Sequence, residues 1–384
     1  MKIKSITIDG LHGVDSVATI DFNDDINILT GRNGSGKTTI LKLVWYLISA
    51  NIERAVREIR FSRVVLSTDA YTLEIRRSRR KDREIAEYKI TSSVGDVLLD
   101  KLEPRGRDQV VEDANQLTID LIPESIFFPT FRRIEGGFSM TDGVHLRSRH
   151  ITRGNDGYIV RRDGFGSDIQ EAIANHAEML SVQGHRFVSS ISTVDIQKVV
   201  TQRHNDATNR VESFSKSLSD KIFQEIRDYN ARSGPEISNT AEQTLEKIYK
   251  DVQQFEKTRK DEFQSLKVLS DVVHRIFDHK GIRLNARVTL GEIGNSMNSE
   301  ALSAGEKQML SFLCYNAFFK GCPFFIDEPE LSLHVDWQRM LLDVLLEQES
   351  GNQYFIATHS PFIYTPFEDK EILISLDRGD SLGE

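Results

Sequence analysis

Gly31-Arg32-Asn33-Gly34-Ser35-Gly36-Lys37-Thr38 is a full match to the pattern G-x-x-x-x-G-K-[ST], set between an apolar run, Ile26 to Leu29, and a helix-forming run, Thr39 to Ile48. The placement matters more than the match. Such a loop works when a strand delivers it and a helix leaves it, so that backbone N–H groups and the positive end of the helix face phosphate. Gly31, Gly34 and Gly36 permit the backbone angles and close approach that a phosphate cradle needs, and Arg32, Asn33, Ser35 and Thr39 belong to the same cradle. Lys37 supplies a mobile point charge, and the Thr38 hydroxyl is placed to ligate Mg²⁺. The stretch predicts a nucleotide-binding α/β fold.

Three motifs far down the chain narrow the class. Leu302-Ser303-Ala304-Gly305-Glu306-Lys307-Gln308 opens a helix-like stretch, Lys307 to Phe319, which puts Ser303 and the Gly305 amide at a second helix N-terminus suited to phosphate. Pro323-Phe324-Phe325-Ile326-Asp327-Glu328 is a short apolar run ending in two carboxylates, the form of a buried strand whose C-terminal end faces a ligand. Asp327 would hold Mg²⁺ through its water shell, and Glu328 would orient or deprotonate the attacking water. Tyr354-Phe355-Ile356-Ala357 is another short strand, followed by Thr358-His359-Ser360-Pro361, which brings a histidine to the sheet edge where it can reach a γ-phosphate.

In this order the motifs resemble the ABC-type ATPases of the SMC, RecF and OLD group. The resemblance implies an α/β fold, an ABC-type P-loop ATPase head with a mixed sheet, an antiparallel β subdomain and an inserted helical lobe or short coiled coil. It implies that Gly31 to Thr38 form the Walker A loop and Leu302 to Gln308 the signature. Asp327 and Glu328 become the Walker B pair, His359 the switch, and Glu330 to His334 the D-loop lining a partner's site. Ala304 stands where transporters carry glycine. No glutamine follows the strand-like Ile126 to Pro129 in the Q-loop position, which leaves Thr130, Arg132 and Glu135 as candidates for completing the Mg²⁺ shell.

With 384 residues, 39% apolar and 28% charged, the chain has the composition of a soluble globular protein of two or three domain-sized units. No apolar stretch approaches the roughly 18 residues of a membrane span, and no leader-like segment opens the chain, so a cytoplasmic protein without membrane contact is expected. Cys314 and Cys322 read as small core residues rather than a disulfide or zinc pair. A net charge of −9 argues against a nucleic-acid footprint over the whole surface. Arg76 to Arg83, however, holds six basic residues and one acid between two strand-like runs, Tyr71 to Ile75 and Ile85 to Ile90. This patch is either a solvated hairpin turn or a contact for nucleic acid or an acidic partner.

Residues 1–130 read as strands around one helix, the N-terminal part of the head, and 131–167 as an Arg-rich connection. Residues 168–282 carry apolar positions at three-four spacing in two arms, Ile196 to Tyr229 and Leu245 to Ile276, with Ser233-Gly234-Pro235 as the reversal. Residues 283–384 return to the head with the signature, the Walker B pair and the switch histidine. The segment Phe127 to Gly137, including Arg132 and Arg133, is similar to a stretch of small prokaryotic defence ATPases such as those of the PARIS and Septu systems and some retrons.

From that resemblance follow ATP and Mg²⁺ as cofactors and a head-to-tail homodimer or higher assembly, because Gly305 and Lys37 lie at opposite edges of such a head. OLD nucleases continue past the switch histidine into a metal-dependent nuclease domain, whereas here only a short stretch follows His359. The implied role is therefore an ATP-driven switch that holds a separate effector, a nuclease, in phage defence. The competing expectation is a DNA-repair or chromosome-associated ATPase that clamps DNA. A transporter ATPase fits less well, because the insertion is too long and polar to be a coupling surface alone.

Overall fold

The computed structural model describes residues 1–11, 17–80, 83–104, 109–130, 133–134, 153–154, 157–158, 175–191, 193–231, 237–277 and 302–374. It divides into two units, Met1–Ser192 with Leu302–Glu384, and Thr193–Ala301. Arg132, Glu135, the turn Ser233-Gly234-Pro235 and most of the Arg-rich connection lie outside the described residues.

In the first unit the chain begins with β1 (Ile3–Asp9), β2 (Val17–Asp21) and β3 (Ile26–Thr30), followed by helices α1 (Lys37–Ile48) and α2 (Ile52–Glu58). Then come β4 (Arg63–Thr68), β5 (Tyr71–Arg80), β6 (Arg83–Ser92), β7 (Val97–Pro104), α3 (Gln109–Leu121), β8 (Glu124–Phe128) and β9 (Gly184–Phe187). The second unit holds α4 (Thr193–Ala231) and α5 (Ile237–Phe277). After it the first unit resumes with α6 (Ala304–Phe318), β10 (Pro323–Asp327), α7 (Val335–Glu347), β11 (Gln353–Ala357), the short α8 (Pro361–Tyr364) and β12 (Glu371–Leu373).

Parallel and antiparallel strands are sorted into two six-stranded sheets. One runs β2-β1-β4-β5-β6-β7 with antiparallel pairing throughout. The other runs β9-β8-β10-β11-β3-β12, every neighbour parallel. Sequence dictates the difference. Every residue of β3, β10 and β11 is buried, as expected for strands covered on both faces, whereas β4 alternates buried and half-buried positions, as one-sided strands do. β9 falls inside the stretch 168–282 expected to be helical insertion. Its sequence, Gly-His-Arg-Phe, lacks the apolar run of its neighbours, and the helical unit starts only at Thr193.

A single core joins both sheets to α1, which buries Leu41, Val44, Trp45 and Leu47 beside Ile6, Leu66, Phe127 and Phe325. Phe325 stacks on Phe355 at 4.7 Å, and Trp45 packs on Phe127 at 5.3 Å. The sheets are also fastened by a side chain. Buried Gln353 accepts from the Ile3 N–H and donates to the Ile3 carbonyl, both at 2.8 Å, so it imitates a strand neighbour for β1. A second buried polar node surrounds Asn316, which donates to the Leu345 carbonyl (2.8 Å) and Gln348 Oε1 (2.6 Å) and accepts from Tyr354 (2.7 Å), Asn352 (2.9 Å) and Ser350 (3.0 Å). Cys314 and Cys322 are buried and free, as their sequence setting suggested.

In the second unit α4 and α5, of 39 and 41 residues, run antiparallel. His204 faces Phe263 with ring centroids 5.8 Å apart, Arg210 pairs with Glu262 at 2.7 Å, and Glu225 pairs with Lys247. No helix among the described residues is long and apolar enough to cross a membrane.

Candidate nucleotide site

The parallel sheet brings the sequence motifs to one edge, at the C-terminal ends of β3, β10, β11 and β8. β3 feeds the phosphate loop, which turns into α1 at Gly36. Gly36 is the helix N-cap at φ 95°, a left-handed conformation that a side chain would strain, and no side chain caps the helix start. Arg32, Asn33 and Gly34 are exposed on the loop, with Ser35, Thr38 and Thr39 half-buried behind them. The Lys37 ammonium bends back to donate to the carbonyls of Gly31 at 2.9 Å and Arg32 at 3.1 Å. Burial lowers its pKa from the usual value, and the carboxylates of Glu328, Asp327 and Glu330 oppose that shift.

Asp327, fully buried at the end of β10, is the geometric centre of the site. Its Oδ1 accepts from the Thr38 hydroxyl at 2.9 Å, and its Oδ2 accepts from the Thr130 hydroxyl. Of the three candidates for the missing glutamine, Thr130 lies beside Asp327, while Arg132 and Glu135 fall outside the described residues. One carboxylate flanked by two hydroxyls, all hard oxygen donors, suits a cation that keeps several waters and takes its remaining ligands from phosphate, as Mg²⁺ does. The residues present fit that ion.

Glu328 follows at φ 48°, outside the usual region for a side-chain-bearing residue, with its N–H donating to the Ala357 carbonyl at 2.8 Å. A turn of this kind costs on the order of 1–3 kcal/mol and is held only when its surroundings over-determine it. Here it couples the Walker B turn to the end of β11, which carries the switch. His359 keeps part of its surface exposed there, and partial desolvation of its ring lowers its pKa below 6.5. Lys37 adds to the lowering, while Glu330 and Asp327 oppose it, so the ring shares its surroundings with the lysine and both carboxylates.

The signature residues form the start of α6. Ser303 is the N-cap in a reciprocal capping box, accepting from the Glu306 N–H at 3.3 Å while Glu306 Oε2 accepts from the Ser303 N–H at 2.7 Å. Ala304 begins the helix. Gly305 lies against the D-loop, where an added Cβ would stand 2.4 Å from the Ser332 carbonyl oxygen. Gln308, buried on the same helix, donates to the Pro329 carbonyl at 2.8 Å. Within one chain the contacts of Ser303, Gly305 and Gln308 thus run to their own helix, to the D-loop and to Pro329 just before it.

The basic patch occupies the far end of the β5–β6 hairpin, where Arg80 stands opposite Arg83. Two of its arginines are engaged within the chain: Arg76 pairs with Glu74 at 2.6 Å, and Arg77 donates to the Ile59 carbonyl and lies over the Phe61 ring. Sequence reasoning counted charges and missed these partners, one two residues back on the same strand and the others outside the hairpin.

A phosphate loop on a parallel sheet, facing a buried aspartate and a histidine-bearing strand, with a capped signature helix inserted before that aspartate, makes this an ATPase of the SMC, RecF and OLD type. The chain belongs to the AAA ATPase domain family, whose profile matches residues 1–126 and 146–364. Septu protein PtuA of Bacillus thuringiensis is 41% identical over 49 residues, 13% of this chain and 12% of that one. Endonuclease GajA of Bacillus cereus is 24% identical over 195 residues, 47% of this chain and 31% of the relative. The matched segments thus span less than a third of either curated relative. The Smc head domain of Pyrococcus furiosus, solved with an extended coiled coil and bound to the C-terminal domain of ScpA, aligns over 95% of this chain and 91% of that one at 13% identity, with a TM-score of 0.39.

Proposed function

We propose that the protein binds and hydrolyses ATP between two copies arranged head to tail, and that the cycle controls a separate effector, a nuclease, in defence against phage. The observation that carries the catalytic part is the convergence of Thr38 and Thr130 on the buried Asp327 carboxylate, beside Lys37, Glu328 and His359. Thr38, Thr130 and Asp327 would hold Mg²⁺, which would supply charge neutralisation for the triphosphate. Gly31 to Thr39 wrap the phosphates, and Lys37 exchanges its two carbonyl partners for phosphate oxygens. Glu328 positions and deprotonates the attacking water, and His359 contacts the γ-phosphate. Ser303 to Glu306 of the second copy close the site, the Ser303 hydroxyl donating to phosphate while its oxygen still caps α6.

The effector role is supported by the similarity to PtuA and to the endonuclease GajA, each matched over part of its length. Clamping of DNA, the other reading of this class, has less to draw on at this patch, where Arg77 donates to the Ile59 carbonyl and Arg76 is shared with Glu74.

The test is light scattering and ATPase turnover of the full chain. Glu328→Gln should retain ATP, pair in its presence and turn over at least about 100-fold more slowly. Lys37→Ala should lose nucleotide affinity about 10- to 100-fold, since it removes a charged phosphate donor. Parental turnover in Glu328→Gln, or a mass that ATP leaves unchanged, would refute the composite site.

A further inference from the structure

We infer that Glu330 is a positioning residue for the switch, holding the backbone of His359 in place and linking it, through the D-loop, to the signature helix of the same chain. This rests on the hydrolytic reading above and extends it. In sequence Glu330 is the first residue of a segment expected to face a second subunit. In the structure its carboxylate turns inward instead, and both oxygens are spent on the switch loop. Oε1 accepts from the His359 N–H at 2.6 Å, and Oε2 accepts from the Thr358 hydroxyl at 2.9 Å.

These are charge-assisted bonds, about twice as strong as neutral ones, and they fix a loop that follows directly on β11. The Thr358 oxygen in turn accepts from the Ser360 N–H at 3.0 Å, which directs its hydroxyl hydrogen toward Glu330. A second strap runs parallel to the first: Ser360 donates to Gln338 Oε1 at 2.6 Å, and Gln338 Nε2 donates to the Leu333 carbonyl at 2.8 Å. The D-loop is thereby tied twice to the switch loop. On its other side Gly305 of α6 abuts Ser332, and Gln308 of α6 holds Pro329, the residue just before the D-loop.

The consequence is mechanical. A phosphate gripped by Ser303 and Gly305 belongs to the partner's site, while His359 serves the chain's own nucleotide. The segment Pro329 to Leu333 spans the two, with Glu330 as its contact to the switch. A loop staple with no bearing on chemistry would be needed only for folding, whereas a positioning residue sets the rate of the bound complex.

The experiment compares the parental chain with Glu330→Ala, Glu330→Gln, His359→Ala and the double variant Glu330→Ala/His359→Ala, all full length, for ATP affinity, melting temperature, KM and kcat. Glu330→Ala should bind ATP and stay folded, melting only a few degrees below the parent for the two lost bonds, but lose kcat about 10- to 100-fold at nearly unchanged KM, the effect of a misplaced contact near the reacting phosphate. Glu330→Gln, which retains one acceptor oxygen, should recover part of the loss, and the double variant should be no slower than His359→Ala alone. Should Glu330→Ala fail to fold, the isosteric Glu330→Gln decides by a lowered kcat at parental KM. Parental kcat in the folded Glu330 variants, with His359→Ala impaired, would overturn the inference alone. Parental kcat in His359→Ala would overturn the assignment of the switch itself.

Discussion

Replacing Gly305 by alanine tests whether the signature helix is seated on the D-loop before any nucleotide arrives. The new Cβ would stand 2.4 Å from the Ser332 carbonyl oxygen, 3.4 Å from its carbonyl carbon and 3.7 Å from the Leu333 Cα. Carbon and oxygen settle at about 3.3–3.6 Å even in their closest favourable contacts, so the two backbones must part by roughly 1 Å. Neither yields easily. α6 is anchored by fully buried Met309, Leu310, Phe312 and Leu313, and Ser332 already sits at φ 76° with its neighbour Leu333 bonded to Glu330 and Gln338. Overpacking of this sort costs about 1–3 kcal/mol, which for a unit of this size lowers the melting temperature by roughly 2–12 °C. The assay is calorimetry of the full chain without nucleotide. If Gly305 served only a partner's triphosphate, the unliganded variant would melt with the parent, and that result would refute the seating.

Thr130→Val should raise the Mg²⁺ concentration for half-maximal hydrolysis about tenfold, because one of the two hydroxyls on Asp327 is lost; an unchanged Mg²⁺ titration would count against Thr130. Asn316→Leu removes five hydrogen bonds from a buried node and should cost more than about 3 kcal/mol in urea unfolding, with a loss under about 1 kcal/mol contradicting it. Burial pushes the pKa of His185 down from 6.5 to about 4. Between those values the unfolded chain carries the proton and the folded chain does not, so stability rises with pH across the window and is lost as pH falls through it, by about 2 kcal/mol at pH 5. His185→Asn should remove that part of the slope between pH 7 and pH 5, and parallel unfolding curves for parent and variant would show the slope to lie elsewhere.

The phosphate loop, the Walker B strand and the switch strand were readable because each is a short apolar run ending in residues with one dominant chemistry, and strands covered on both faces have no other way to appear in sequence. β9 escaped notice because a four-residue edge strand containing Gly184, His185 and Arg186 carries no such run. Thr130 could be named only as one of three candidates, since a threonine in a loop has no signature until the fold sets it against Asp327. Glu330 was placed in the D-loop by the family resemblance, which does not tell which way a loop side chain turns. Gly305 was read as a phosphate contact; that it also allows two backbones to touch is a matter of tertiary approach, which no local pattern records.

The carboxamide of Gln353 adds a mechanical consequence. The same β11 that begins with Gln353 leads into His359, and Gln353 grips Ile3 on both its amide and its carbonyl. The opening strand of the antiparallel sheet and the histidine-bearing strand therefore travel as one rigid piece. A tilt of β1 is thereby passed to β11 and to the loop that carries His359.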